Sequence, residues 1–259
     1  MTWVVAAAST LGYAVGLSDI CVTLKDGSTR DCLRKIYPIS QFIALGFAGS
    51  VAIGFSILDE VSRWLRPIPA DSAWIPNDVA ELFHQPAKNA WSQASATEQA
   101  LHSHFIMVAV HPTEDTLPGQ GRGSIHVFRS PNFEPIATNL GKVISIGTGS
   151  SVAHYARALD GLSGDPLSLL RGEEMNRKLG PVTIEQVVTD SVYEAPFGGV
   201  SSHFHVCVVR RGEITVRPND RRTYHKDGRI EDFIMPPVAH SLREFHNMVS
   251  GVSAECAVC

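Results

Sequence analysis

Residues 2–19 read TWVVAAASTLGYAVGLSD and contain two apolar runs separated by a short gap. Runs of β-branched, aromatic and small apolar residues that are bounded by glycine, serine or aspartate are typical of strands. The stretch therefore predicts two strands, at residues 3–8 and 13–17. Thr2 stands directly before the first strand, and Asp19 closely follows the second.

Thr2 directly follows the initiator methionine, and its side chain is small enough for that methionine to be removed. Removal would leave a hydroxyl and a free α-amine on the same residue. An α-amine has a pKa of about 7.7–8.0, so near neutral pH it can accept the hydroxyl proton and activate the oxygen as a nucleophile. Because many chains begin with Met-Thr, this hypothesis depends on the residues that follow.

An ordered set of short motifs resembles the proteasome β-subunit family. Members of that family carry an aspartate on the first hairpin, a lysine before an apolar residue, a GxAG turn into a helix, an IGSGS turn and a D-x-x-S-G-G segment. The matching residues are Asp19, Lys35 before Ile36, GFAGS at 46–50, ISIGTGS at 144–150 and EAPFGG at 194–199. No motif is specific alone, but the ordered set covers roughly residues 2–216. Within that family the chain resembles the β-proteobacterial proteasome homologue, which has about this length.

The resemblance implies a threonine endopeptidase in which Thr2 Oγ attacks a peptide carbonyl and water then releases the acyl group. Lys35 would supply an ammonium that lowers the effective pKa of the hydroxyl. Asp19 would be its counter-charge, because a buried ammonium without a partner is costly. The alternative is that Asp19 and Lys35 form an ordinary surface pair.

Three further residues receive roles from the same resemblance. Gly49 would direct its backbone N–H at the oxyanion, and a glycine there lets the substrate backbone approach closely. Thr148 and Ser150 are candidates for holding the α-amine and the attacking water.

The last motif departs from the family pattern at two positions. Glu194 and Phe197 stand where the family has aspartate and serine. Glutamate can still orient an amine, but phenylalanine neither donates nor accepts a hydrogen bond. Low or narrowly tuned activity is therefore expected, with Asp190 and Ser191 as an offset alternative to the motif.

Substrate contacts also follow from the resemblance. The residues that map to the pocket for the side chain before the scissile bond are all apolar: Val22, Leu33, Phe47 and Val51. They predict a preference for hydrophobic residues there, while Thr23 would pair with the substrate backbone as in strand addition. The alternative is that these side chains belong to the core.

The pattern along the whole chain predicts an α+β fold. Strands are predicted at 3–8, 13–17, 36–39, 42–47, 105–110, 124–128, 143–146, 203–209 and 213–216, and helices at 50–65, 78–102 with a break at Pro86, 151–159 and 183–193. Several α+β layouts fit this order, and the resemblance selects the four-layer αββα sandwich of N-terminal nucleophile hydrolases. Residues 2–217 would form that domain. Residues 218–259 would form an arm that docks on its own or a neighbouring subunit, with disorder as the alternative.

Composition excludes several classes of function. The net charge of −4 gives no basic surface for nucleic acid or acidic membranes, and no apolar run is long enough to span a bilayer. Five cysteines, an odd number, indicate reduced thiols. We expect a cytoplasmic protein without cofactor or metal. A histidine pair at His203 and His205 is more typical of a satisfied strand than of a metal site, and the CxxC spacing at residues 256–259 lacks partner ligands.

The resemblance also implies partners. Such subunits form homo-oligomeric double rings, here expected to be a tetradecamer, with six-membered rings as the alternative. Their chambers admit unfolded polypeptides, which implies an AAA+ unfoldase. Two other functions stay open: a ring-forming homologue that is catalytically silent or regulatory, and an N-terminal nucleophile amidase that acts on a small amide.

Overall fold

A computed structural model describes residues 2–66, 74–163, 180–219, 222–224, 230–232 and 234–255. The strands are β1 Val4–Ala8, β2 Tyr13–Asp19, β3 Cys21–Thr23, β4 Thr29–Asp31, β5 Ile36–Pro38, β6 Ile43–Gly49, β7 Ser103–Leu117, β8 Gln120–Arg129, β9 Ile136–Ala137, β10 Ile144–Ile146, β11 Phe204–Arg210, β12 Glu213–Pro218, β13 Arg222–Tyr224 and β14 Ile230–Asp232. The helices are α1 Val51–Trp64, α2 Pro76–Leu82, α3 His84–Gln93, α4 Ala96–Ala100, α5 Ala153–Ser163, α6 Gly180–Glu194 and α7 Leu242–Glu255, with a 3₁₀ helix at Thr148–Ser151. The fold is thus of the mixed α and β class.

Two five-stranded antiparallel sheets form the body of the protein. The first sheet has the order β10-β1-β2-β11-β12, and the second has the order β5-β6-β7-β8-β9. In the first sheet Val4 lies opposite Ser18 on β2, and Asp19 lies opposite Phe204 on β11. The end of β2 is therefore held between the start of β1 and the start of β11.

Three hydrophobic cores lie on the faces of these sheets. One contains residues of both sheets, among them Ala6, Ala14, Val108 and Val127. A second joins the first sheet to α5 and α6, and a third joins the second sheet to α1, α2 and α3. Because both faces of β1 and β2 are covered, all residues of these two strands are buried.

The strands of the two sheets lie close to the predicted positions, but two local predictions were wrong. The glycine and proline residues at 113–122 predict a loop there, but β7 runs to Leu117 and β8 resumes at Gln120. Pro86 does not end a helix, because it lies in the first turn of α3, where its missing N–H is not needed. The break falls one turn earlier, at the end of α2.

The described part of the C-terminal segment contacts its own chain. Ala239 N donates to Cys32 O (2.8 Å), and Arg34 N donates to Ala239 O (3.1 Å). From α7, side chains including Phe245 pack against the third core, and Arg30 Nη1 donates to Met248 O (2.7 Å). The segment therefore closes over the turn that leads into β5.

Among the described residues, no helix combines the length and the apolar composition that crossing a membrane requires. The cysteines at 256 and 259 lie outside the described residues.

Candidate active site

Thr2 lies in the short segment before β1 and is almost wholly buried, with 5% of its surface exposed. The next residue ties this segment to the end of β2. Trp3 N donates to Asp19 Oδ1 (2.9 Å), and Asp19 N donates to Trp3 O (3.0 Å). The indole of Trp3 stacks on Tyr155 of α5 with ring centroids 4.5 Å apart. The position of Thr2 is thus set by β2 on one side and by α5 on the other.

The carboxylate of Asp19 accepts four hydrogen bonds. Trp3 N and Lys35 Nζ donate to Oδ1 (2.9 Å each), and Cys21 N and Ser201 N donate to Oδ2 (3.3 Å each). Asp19 is 0% exposed and Lys35 is 1% exposed, so the pair is a buried ion pair and not the surface pair considered above. Burial raises the pKa of Asp19, while the Lys35 ammonium and the backbone donors act in the opposite direction.

Lys35 is held from its backbone as well as from its ammonium group. Its carbonyl accepts the N–H of Phe47 on β6 (3.0 Å). Besides Asp19, Nζ donates to Cys21 O (2.5 Å). The ammonium therefore has two fixed acceptors, and one of them, Asp19, also binds the amide that directly follows Thr2.

A glycine turn encloses the carbonyl group of Thr2. Gly149 N donates to Thr2 O (3.2 Å). Gly147 has φ +86°, and a Cβ built on it would lie 2.3 Å from Thr2 O, while one built on Gly149 would lie 2.4 Å from the Trp3 ring. Only glycine fits both positions, so the ISIGTGS stretch has a direct structural reason at this site.

Thr148 and Ser150 lie in this same turn. Thr148 is half-buried at the start of the 3₁₀ helix. The Ser150 hydroxyl donates to Gly147 O (2.6 Å) and is exposed. It therefore closes the turn, and the roles of both side chains toward an amine or a water stay predictions.

Gly49 ends β6 directly before α1, and its backbone has φ +107°. A Cβ there would lie 2.0 Å from His102 O, so no other residue fits. Ser50 caps α1 by accepting the N–H of Ile53 (3.1 Å). A helix N-terminus favours negative charge, which suits an oxyanion next to Gly49, although that role stays a prediction.

The EAPFGG segment at 194–199 is the most exposed of the motifs that resemble the family. The Glu194 side chain is 66% exposed, and its Oε2 lies 3.5 Å from His154 Nε2. Phe197 is 38% exposed. Ser191, the offset alternative, donates its hydroxyl to Val187 O within its own helix (2.6 Å). Glu194 therefore faces an imidazole at the surface instead of joining the buried Asp19–Lys35 pair.

The apolar residues proposed for the substrate pocket differ in exposure. Val22, Leu33 and Phe47 are buried in the third core. Val51 at the start of α1 and Thr23 on β3 are half-buried. Three of the five thus pack as core residues in this structure, and their contact with substrate stays a prediction.

Sequence reasoning missed a cluster beside Asp19, which we call the Asp31 cluster: Asp31, Ser201 and His203. Ser201 Oγ donates to Asp31 Oδ2 (2.5 Å), His203 N donates to Ser201 Oγ (2.9 Å), and His203 Nδ1 lies 3.3 Å from Asp31 Oδ2. Asp31 and His203 are 172 positions apart, and no motif links them. The signals were weak: the serine pair at 201–202 shortly after the double glycine at 198–199, and His203, noted above only as part of a histidine pair.

Within the described ranges no group of three or more His, Cys, Asp or Glu residues could hold a metal ion. Compared with known proteins, the chain matches no protein-family model and no curated protein sequence. What the site can do must therefore be argued from its own geometry together with the order of its motifs.

Proposed function

We propose that the protein is a threonine endopeptidase of the proteasome β-subunit type, with Thr2 as nucleophile after removal of Met1. One observation carries this proposal: the buried Asp19–Lys35 ion pair is hydrogen-bonded to the amide directly after Thr2. A buried ion pair costs desolvation energy and is weak as a source of stability. Its contact with the amide next to Thr2, a residue that would carry both a hydroxyl and a free α-amine once Met1 is removed, gives it a chemical use.

The fold supports the same proposal. The two five-stranded sheets share one core, and each carries helices on its other face. We propose that these are the four layers of the αββα sandwich of N-terminal nucleophile hydrolases. In that arrangement Thr2 lies at the end of a central strand, where both sheets can supply catalytic groups.

The mechanism has two steps. The α-amine of Thr2 accepts the hydroxyl proton while Oγ bonds to the peptide carbonyl carbon, and the Lys35 ammonium favours the negatively charged oxygen. The carbon–nitrogen bond then breaks, and the leaving amine takes the proton. Water then adds to the carbonyl carbon of the resulting ester, and the bond to Thr2 Oγ breaks. The acyl part leaves as a carboxylic acid, and a proton returns to Oγ. The Gly49 N–H is the proposed donor to the oxyanion in both steps.

The proposed substrates are unfolded polypeptides with hydrophobic residues before the scissile bond. A homo-oligomeric double ring that works with an AAA+ unfoldase is part of the same proposal. A second candidate is a ring-forming homologue without activity. It is favoured by Glu194, which lies exposed beside His154 instead of next to the buried ion pair.

The decisive experiment is the intact mass of the purified protein before and after treatment with a peptide epoxyketone, which reacts with both a hydroxyl and a free α-amine. Loss of Met1 and one adduct per chain are expected, with a Thr2→Ala variant as the unreactive control. Loss of Met1 without an adduct would favour the silent homologue. Retention of Met1 would overturn the mechanism, because the α-amine would be blocked.

A further inference from the structure

We propose that Asp31 is a positioning residue that holds the Asp19 carboxylate in place through Ser201. This inference rests on the proposed peptidase function, since it assigns Asp31 a role toward the same site. The Asp31 side chain contacts Ser201 and His203, and its effect on Asp19 passes through backbone groups.

The first connection runs through Ser201. Its N–H donates to Asp19 Oδ2 (3.3 Å), while its hydroxyl donates to Asp31 Oδ2 (2.5 Å). The residue is thus held at both its amide and its side chain, and 5% of its surface is exposed. Fixing the hydroxyl on Asp31 fixes the direction in which the amide points.

The second connection runs through the β3–β4 hairpin. Asp31 is the last residue of β4 and lies opposite Cys21, the first residue of β3. Cys21 donates its N–H to Asp19 Oδ2 (3.3 Å) and accepts from Lys35 Nζ through its carbonyl (2.5 Å). Both donors to Asp19 Oδ2 therefore come from residues that Asp31 contacts or pairs with.

The charge of Asp31 decides which groups donate and which accept in these hydrogen bonds. Burial acts to raise the pKa of Asp31, but the hydrogen bonds with His203 and Ser201 outweigh it, so the pKa lies below its ordinary value. An ionised carboxylate only accepts hydrogen bonds. The Ser201 hydroxyl must then donate to Asp31, which leaves its oxygen free to accept the backbone N–H of His203 (2.9 Å).

The same contacts exclude a serine nucleophile at this place. In a catalytic serine–histidine pair the imidazole takes the hydroxyl proton. Here the Ser201 hydroxyl donates to the Asp31 carboxylate (2.5 Å), and its oxygen lies farther from His203 Nδ1 (3.4 Å). That same nitrogen also faces the carboxylate (3.3 Å), so the imidazole does not stand between serine and aspartate as it does in a triad. The Asp31 cluster is therefore suited to hold a backbone segment and not to attack a substrate.

The test compares four variants: Asp31→Ala, Asp31→Asn, Ser201→Ala and the control Asp26→Asn. Asp26 lies in the turn of the same hairpin, and its carboxylate binds only Ser28 among the described residues. Two assays are used. The first gives kcat and KM on a fluorogenic peptide. The second gives the hydrogen-exchange rate of the Ser201 amide by mass spectrometry and needs no turnover.

We expect Asp31→Ala and Ser201→Ala to lower kcat by about 10- to 100-fold, because a small misplacement of a catalytic group has effects of this size. KM should change less than kcat, since none of the proposed pocket residues is replaced. The Ser201 amide should exchange faster in Asp31→Ala than in Asp31→Asn, which keeps an acceptor. Asp26→Asn should behave as the wild type in both measurements.

Two results would overturn the proposal: a kcat of Asp31→Ala equal to that of Asp26→Asn, or an unchanged exchange rate of the Ser201 amide. Unfolding is recognised separately, because it would accelerate exchange in the β6–β7 pair as well. Activity that persists in Thr2→Ala, or no activity in the wild type, refutes the proposed function instead. The exchange of the Ser201 amide then still decides whether Asp31 positions Ser201.

Discussion

Replacing Lys35 by methionine tests whether Lys35 and Asp19 form a buried ion pair. Methionine keeps the length and apolar stem of the side chain but removes the ammonium that binds Asp19 Oδ1 at 2.9 Å. The Asp19 carboxylate would then be buried with three backbone donors and no cation. Breaking a buried pair in this way costs about 3–5 kcal/mol.

Protonation of Asp19 gives a second, pH-dependent estimate of this cost. Asp19 can avoid an unpaired buried charge by taking up a proton. From its ordinary pKa of 3.8, protonation costs about 4 kcal/mol at pH 7 but only about 2 kcal/mol at pH 5. A raised pKa in the folded state means that stability is lost as the pH rises from 3.8 through the folded value. The loss caused by Lys35→Met should therefore be greater at pH 7 than at pH 5.

The assay is urea unfolding followed by tryptophan fluorescence at both pH values. Lys25→Met is the matched control, because Lys25 is exposed in the hairpin turn. The double variant Lys35→Met with Asp19→Asn should be more stable at pH 7 than Lys35→Met alone, since no charge is left unpaired. A loss below about 1 kcal/mol, or one that does not change with pH, would refute a buried ion pair.

The remaining predictions concern a turn, a buried histidine and the last motif. Gly147→Ala should abolish activity, because the added Cβ would lie 2.3 Å from Thr2 O. The control Gly212→Ala has the same φ of +86° but open space around it, so it should only lose about 1–2 kcal/mol of stability. Equal activities of the two variants in a peptidase assay would contradict this prediction. Burial and nearby cations lower the pKa of His205 to about 4, so stability should fall as the pH drops from about 6.5 to 4, by at most about 3 kcal/mol. His205→Phe should flatten this dependence in urea titrations, and an unchanged slope would count against it. Phe197→Ser should raise kcat if the missing hydroxyl limits the rate, and no gain at all would exclude that explanation.

The sequence predicted those parts of the molecule that depend on local pattern or on motif order. Continuous apolar runs were enough to place β1 and β2, and the motif order singled out Asp19 and Lys35, which the structure brings together. The length of the β7–β8 hairpin was missed because Pro118 and Gly119 were taken as signs of a longer loop, although they form only its tight turn.

The Asp31 cluster could not be predicted, because it depends on pairing between distant segments. Asp31 and Ser201 are 170 positions apart, and neither lies in a recognisable pattern. Glu194 shows the opposite difficulty. Its motif position suggested a place in the site, but its side chain lies at the end of α6 and points to His154. The order of the motifs indicates which segments of the chain come together. It does not indicate where a side chain at the end of a helix, such as that of Glu194, will point.

The four donors to Asp19 have a consequence for when the proposed site becomes complete during synthesis. They come from Trp3, Cys21, Lys35 and Ser201, and the last of these is 182 positions beyond Asp19. Thr2, the proposed nucleophile, is made long before Ser201, so one of these donors is added only when most of the chain has been made. If the chain is the proposed peptidase, the network around Asp19 stays incomplete until Ser201 has been made, so the site would be inactive for most of translation.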